Sequence, residues 1–413
     1  MATCAPDGTP NVAYISQVVY VDEQHVALSF QFFNKTRANI LANPYASVLV
    51  LDPVTARCFR LHLRFLRTEA EGALFERMRA QLAGIASHNG MAGVFELKGS
   101  DVYAVERIEP VPGEGLAPSP AQLPRADLLG AVRLCSQRLA RCTTLDELLQ
   151  TLLAGLHEHL HVQHAMVLML DAQAGHLYTV ASHGYTHSGV GSEIKLGQGV
   201  IGVAAREATP VRISHMTHAA LYSHAMRSSL GQSAPAHEIP YPGLPAPHSQ
   251  LAVPLLSCGR TLGVLFVESP LDLQFRYPEE DALVALAGQL AAAIDLLQSA
   301  DEAIEASQEP APAPAPRGGA RAGAAFRGER QRVRWKLLRD HERTGRQDFS
   351  NRELRLDPSL RLPGVADNLE ARLLLLQRRL QESDTGIHID KTGRGRLRLR
   401  LDAPVQLEEM AGG

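Results

Sequence analysis

The sequence predicts a multidomain α+β chain: a β-rich N-terminal unit, a mixed α/β middle, and a small basic unit of helices and a hairpin. Three observations carry this. At 413 residues the chain is too long for one hydrophobic core. Two runs rich in Pro, Ala and Gly, residues 110–120 and 310–319, interrupt it. The charge is also segregated. Residues 317–402 hold 21 Lys+Arg against 12 Asp+Glu, although the whole chain carries only −3. The breaks give domains at 1–110, 125–305 and 325–403, with linkers at 111–124 and 306–324. A basic module after an acidic body points to a polyanion partner at that end.

The bulk composition bounds the rest. An apolar fraction of 45% suits a soluble globular protein. No apolar run reaches the roughly 18–20 residues of a membrane span, so no membrane partner is expected. The first residues have neither a basic region nor an apolar core of a secretory signal. Five scattered cysteines read as reduced thiols of a cytoplasmic protein.

In the first unit, residues 12–20 and 25–30 read as strands around the polar turn Asp22-Glu23-Gln24. Residues 46–51 and 57–66 follow. The second of these alternates Cys58, Arg60, His62 and Arg64 with Phe59, Leu61, Leu63 and Phe65. An amphipathic helix over 69–84 and strands over 94–97 and 102–108 complete a small barrel. Between the second and third strands lies Asn34-Lys35-Thr36-Arg37-Ala38-Asn39-Ile40-Leu41-Ala42-Asn43-Pro44. It places two cations, a hydroxyl and amides at a helix start, the equipment for holding a phosphate.

With Asp7-Gly8-Thr9-Pro10-Asn11-Val12 ahead of it, this stretch resembles the pyridoxamine 5'-phosphate oxidase-like, FMN-binding split-barrel family over about residues 1–110. The resemblance implies FMN as cofactor. In that family a polar-basic-basic triplet before an Asn-Leu helix holds the phosphate. Here Asn34 and Lys35 match, Thr36 replaces the second cation, and Arg37 comes one residue later. The resemblance therefore assigns phosphate contacts to Asn34, Lys35, Thr36 and Arg37, and places Ser29 and Gln31 near the flavin ring. The alternative is an empty barrel whose Lys35 and Arg37 are solvated cations. No nucleophile–base pair is visible, so no catalytic residue is assigned.

The middle unit reads as two helices over 125–160, broken near Thr143-Thr144-Leu145-Asp146, where Thr144 caps the second with Glu147 three residues on. Strands follow over 165–170, 177–182, 210–213, 249–256 and 261–268, then a long helix over 278–298 opening with Pro and three acids. Residues 222–248 read as an insertion, either a lid or disorder.

Leu196-Gly197-Gln198-Gly199-Val200-Ile201-Gly202, Thr209-Pro210-Val211-Arg212-Ile213, Ser249–Leu255 and Leu262–Ser269 resemble a GAF domain, a ligand-binding and dimerising sensor fold, over 126–298. The resemblance implies a small-molecule ligand and a homodimer through the helices at 126–141 and 278–305. Gly197, Gly199 and Gly202 are not a dinucleotide fingerprint, since no ribose acid follows in a βαβ unit. His157 and His161 stand at metal-ligand spacing on a helix, beside His159 and His164, with His215, His218 and His224 in a loop. Without a supporting motif they read as solvated polar groups, and no metal is assigned.

The third unit reads as helix, helix and hairpin. Ser350 caps a short helix with Glu353 in the box position, a second helix covers 366–382, and strands over 385–390 and 396–401 flank a tip with Gly393 and Gly395. The order resembles a winged helix-turn-helix, which implies DNA as partner. Leu369, Leu373, Leu376 and Leu380 would form the buried stripe of the recognition helix. Arg372, Arg378 and Arg379 would then project outward, base reading would need Asn368, Arg372 or Gln377, and Lys391, Arg394, Arg396, Arg398 and Arg400 would load the wing. The alternative is a partner-binding helix beside a solvated basic hairpin.

Together these readings point to a cytoplasmic sensory regulator that binds a small ligand or flavin and signals to a basic output module. The alternative is an FMN-dependent oxidase or reductase with a regulatory GAF domain.

Overall fold

The structure is a computed structural model that describes residues 1–31, 35–52, 55–88, 96–113, 127–214, 241–307, 329–357, 360, 369–382, 386–393 and 396–402. Three antiparallel sheets of seven, six and three strands organise it, in the chain order read from the sequence.

The N-terminal domain contains β1 (Ala2–Cys4), β2 (Pro10–Val12), β3 (Val18–Asp22), β4 (His25–Phe30), α1 (Lys35–Ala42), β5 (Tyr45–Leu51), β6 (Cys58–Glu69), α2 (Ala73–His88) and β7 (Gly99–Pro110). The sheet order is β2-β1-β5-β6-β7-β4-β3. Its core gathers Leu28, Ile40, Ala46, Val48, Leu61, Leu63 and Tyr103. The alternation read in β6 puts Leu61 and Leu63 into this core, as a half-buried strand requires. Three expectations change. Residues 12–20 are two strands with a break rather than one. The helix expected over 69–84 begins and ends four residues later, because β6 runs on to Glu69. Glu96 and Leu97, expected in a strand, lie outside any element.

The middle domain contains α3 (Leu128–Leu139), α4 (Leu145–Leu160), β8 (His164–Asp171), β9 (His176–His183), β10 (Glu193–Lys195), α5 (Gly199–Glu207), β11 (Val211–Ile213), β12 (Ser249–Ser257), β13 (Arg260–Ser269) and α6 (Tyr277–Ser307). Its sheet order is β10-β9-β8-β13-β12-β11. Thr144 caps α4, accepting from the Glu147 amide at 3.3 Å. The Glu147 carboxylate reaches back to Thr143 N instead of the cap residue itself. Helices α3, α4 and α6 cover one sheet face, with Leu283, Leu286, Ala287, Leu290, Ala291 and Ile294 of α6 in the core at helical spacing. By length and composition α6 could cross a bilayer; here that buried stripe makes it a core helix. The sequence did not reveal α5 or β10.

α2 belongs to two cores. Met78 and Leu82 pack into the N-terminal domain with Val19, Ala27 and Leu97. Ala80 and Ala83 pack with Val200, Val203, Ala204 and Val211 of the middle domain. Small residues allow this closeness: a Cβ on Gly84 would stand 2.4 Å from Val211 Cγ1. Ser87 meets the start of α5, and Arg79 pairs with Glu207 at its end, 2.9 Å away. The two helices therefore run antiparallel.

The C-terminal module contains α7 (Glu329–Thr344), β14 (Asp348–Ser350), α8 (Asn351–Leu356), α9 (Leu369–Glu382), β15 (Ile387–Gly393) and β16 (Arg396–Leu401), with sheet order β14-β16-β15. Ser350 and Glu353 form the expected capping box. Leu373, Leu376 and Leu380 enter the module's own core with Leu337, Phe349 and Leu397.

Candidate functional site

Two clusters of chemistry-bearing side chains among the described residues bear on ligand binding. The first is the start of α1. Here Arg37 Nη1 donates to Asp101 Oδ1 at 2.6 Å and Nη2 donates to Thr68 Oγ1 at 2.7 Å. Thr68 Oγ1 in turn donates to Asp101 Oδ1 at 2.6 Å. The guanidinium lies 4.7 Å from the Phe30 ring centroid and 5.5 Å from that of Phe65. Thr36 is buried and accepts from Asn11 Nδ2 at 2.8 Å, while Asn39 Nδ2 donates to Thr3 Oγ1 at 3.1 Å. The motif residues thus bind α1 to β1, β2, β6 and β7.

Of the residues expected to hold a flavin, Ser29, Gln31, Thr36 and Arg37 line one recess of about 70 Å³, together with Met1, Asp101 and Tyr103. Gln31 is buried and its Oε1 has no hydrogen-bond partner. Ser29 Oγ accepts from Gln17 N at 3.2 Å. Lys35 is exposed. Asn34 lies outside the described residues. The residues do not fit FMN: the recess is far below the roughly 300–1,000 Å³ of ligand pockets, and Arg37 already carries a counter-ion.

The second place is the sheet face opposite α3, α4 and α6. Glu268, on β13, is almost wholly buried at 1% exposure. Its Oε1 accepts from Leu244 N at 2.8 Å and its Oε2 from Gln250 Nε2 at 3.1 Å. Burial pushes its carboxyl above the ordinary range, and these two bonds only partly offset that. The Tyr185 hydroxyl is buried beside this carboxylate and adds to the interactions that hold its pKa down. The His164 ring lies 5.4 Å from Tyr185, and its Nδ1 is also buried and unpartnered. Burial, with a smaller contribution from His183, lowers the His164 pKa. Sequence reasoning missed Glu268 and Tyr185. The available signal was a lone acid at the end of the apolar run Gly263–Val267.

His157 and His161 do not both stand on α4. α4 ends at Leu160, and His161 follows it with left-handed backbone, φ 57°. His157 instead lies 4.7 Å from the His183 ring. Among the described residues no group of His, Cys, Asp and Glu could hold a metal. His215, His218 and His224 lie outside them.

The helix expected to face DNA is turned elsewhere. Leu374 and Leu375 of α9 lie in the middle domain's core. Arg378, expected to project outward, donates to Val180 O on β9 and pairs with Asp146 on α4. A helix with four consecutive leucines has apolar side chains on two faces, and the second face is the one that docks. Lys391 and Arg396 line a cleft of about 720 Å³ with Thr144, the cap of α4, and with Asp146 and Glu147 in its first turn. Asp348 pairs with Arg398 at 2.8 Å, and Asp390 with Arg400 at 3.5 Å. Asn368 and Arg394 lie outside the described residues. Arg372 and Arg379 are on α9, with no described side-chain placement.

Comparison with known proteins agrees with the first two domains. Residues 144–294 match the GAF domain model, and residues 1–106 match the pyridoxamine 5'-phosphate oxidase model. Among solved structures, the chain is similar to the GAF domain of an Acinetobacter phosphoenolpyruvate-protein phosphotransferase, with 21% identity over 41% of this chain and 94% of that one, TM-score 0.34. It is also similar to the free methionine-R-sulfoxide reductase of Neisseria meningitidis in complex with its substrate, with 21% identity over 42% of this chain and 91% of that one, TM-score 0.34. An FMN-binding protein from Syntrophomonas wolfei shares 23% identity over 27% of this chain and 75% of that one, TM-score 0.23. No protein of curated function matches the chain.

Proposed function

We propose that the chain is a ligand-responsive regulatory protein whose GAF domain binds a small molecule against the Glu268 face of its sheet. One observation carries this reading. Glu268, Tyr185 and His164 bring a desolvated carboxyl, a buried hydroxyl beside it and a buried unpartnered ring nitrogen to the same face. Such groups are costly unless something pairs with them, and a polar ligand would. The flanking domains are placed to receive the change, since α2 packs on α5 and α9 packs on α4 and β9.

Native mass spectrometry of the purified full chain tests this. The expected result is a co-purifying small molecule that Y185F weakens and E268A loses. Equal retention by wild type and both variants would place the ligand elsewhere.

The homodimer proposal gains support from Leu129 of α3 and Leu296 of α6, 82% and 70% exposed. Light scattering of the full chain and of a Leu129→Glu, Leu296→Glu variant tests it. A DNA output would run through the hairpin, where Lys391 and Arg396 are exposed, because α9 is docked on the GAF domain. The free cysteines fit a reducing compartment such as the cytoplasm. The alternative, an FMN-dependent oxidoreductase, draws on the N-terminal family match alone, and the Arg37–Asp101 pair counts against it.

A further inference from the structure

The N-terminal match implies FMN, whose phosphate needs unspent cations and donors at the start of α1. Those groups have other work. Arg37 is bonded to Asp101 and Thr68 and stacked against Phe30 and Phe65. The Thr36 hydroxyl holds Asn11. A phosphate brought to Arg37 would come up against the Asp101 carboxylate, which is 5% exposed and therefore barely screened by water. Pulling Arg37 away would leave that carboxylate buried and unpaired. Lys35 is the remaining cation of the motif, exposed at the first residue of α1 and within electrostatic reach of Asp7. The recess beside these residues, about 70 Å³, has room for water but not for a tricyclic ring system.

We infer that the N-terminal domain of this chain holds no FMN, and that its anion-binding helix start has become an internal clamp joining α1 to β6 and β7. The clamp explains why Arg37 stands one position later than the cation that Thr36 replaces. From the first turn of α1, Arg37 reaches inward to Asp101 on β7 and Thr68 on β6 rather than outward to a ligand. The domain's contribution is then mechanical: it holds α2 against α5 of the GAF domain.

The test is a fluorescence titration of FMN with the full-length protein, with riboflavin as the control that lacks the phosphate. Melting curves of wild type, K35A and R37A are recorded alongside. The expected result has four parts: no saturable quenching by FMN beyond that by riboflavin, no flavin absorbance after gel filtration with added FMN, a lower melting temperature for R37A, and no change for K35A. Saturable one-to-one quenching by FMN in the wild type would overturn the inference. So would an R37A variant that melts like the wild type, because a clamp cannot be removed without loss.

Discussion

Ser87 of the N-terminal domain caps a helix of the GAF domain: its Oγ accepts the backbone N–H of Gly199, the first residue of α5, at 2.8 Å. The residue in the cap position of α5, Gln198, makes no side-chain cap bond. A cap is worth about 0.5–2 kcal/mol. Ser87→Ala is expected to lower the unfolding free energy of the full chain by about 1 kcal/mol. Hydrogen exchange would localise the loss to the first turn of α5. Faster exchange spread evenly over the N-terminal domain would mean that the hydroxyl serves something else.

Gly84 tests the same interface by crowding. Alanine in a helix interior is favoured over glycine by about 1 kcal/mol, but here its Cβ would stand 2.4 Å from Val211 Cγ1. Overpacking costs about 1–3 kcal/mol. Gly84→Ala is therefore expected to destabilise, and Val211→Ala to relieve it. In a double-mutant cycle by urea unfolding, the pair should cost less than the sum of the single changes. Additive costs would show that α2 and β11 separate freely.

In the Arg37–Asp101 pair the carboxylate is buried and the guanidinium largely so, with side chains 17% and 7% exposed. Removing one partner of such a pair costs about 3–5 kcal/mol, whereas replacing both by apolar groups is often neutral. Asp101→Ala is expected to fall in that range. Arg37→Met with Asp101→Leu is expected to recover most of the loss, measured by chemical unfolding.

The packing of α9 predicts a separable defect. Leu375 is fully buried in the GAF core although it belongs to the C-terminal module. Leu375→Ala is expected to cost about 2–5 kcal/mol. Hydrogen exchange should show the loss in α9 and in β9 around Val180, where Arg378 donates. Arg378→Ala is expected to act in the same place more weakly, since Asp146 is half exposed and its ion pair is screened.

These relationships show where the sequence could and could not be read. Local signals were legible. The Thr144 cap, the Ser350–Glu353 box and the alternation of β6 each lie within a few residues and form as expected. What escaped depends on distant partners. Helix α5 opens on a glycine with φ 63°, and its cap comes from a residue 112 positions earlier. Arg37 sits in a phosphate-holding pattern, and its partner Asp101 is 64 residues away. The leucine stripe of α9 shows one apolar face in the sequence; Leu374 and Leu375 need the GAF core beside them to show the second. In each case the residue type was right, and the partner that set its role was invisible.

Glu268 gives a pH signature. Burial raises its folded-state pKa above the ordinary carboxyl value of 4.5. Between the unfolded and folded values the native state binds the extra proton, so stability falls as pH rises through the folded value. Above it the whole penalty is present. His164 and His183, both lowered by burial, act in the opposite sense: the unfolded state takes up their protons first, and stability falls as pH drops below their ordinary value of 6.5. These histidines are the same in wild type and in Glu268→Gln, so their contribution cancels in the difference between the two. The glutamine variant is therefore expected to gain stability relative to wild type as pH rises above the ordinary carboxyl value of 4.5 and through the raised folded-state value. Urea unfolding of both proteins at several pH values measures this. A difference that stays flat across that range would mean that Leu244 and Gln250 hold the carboxylate well enough to cancel its burial.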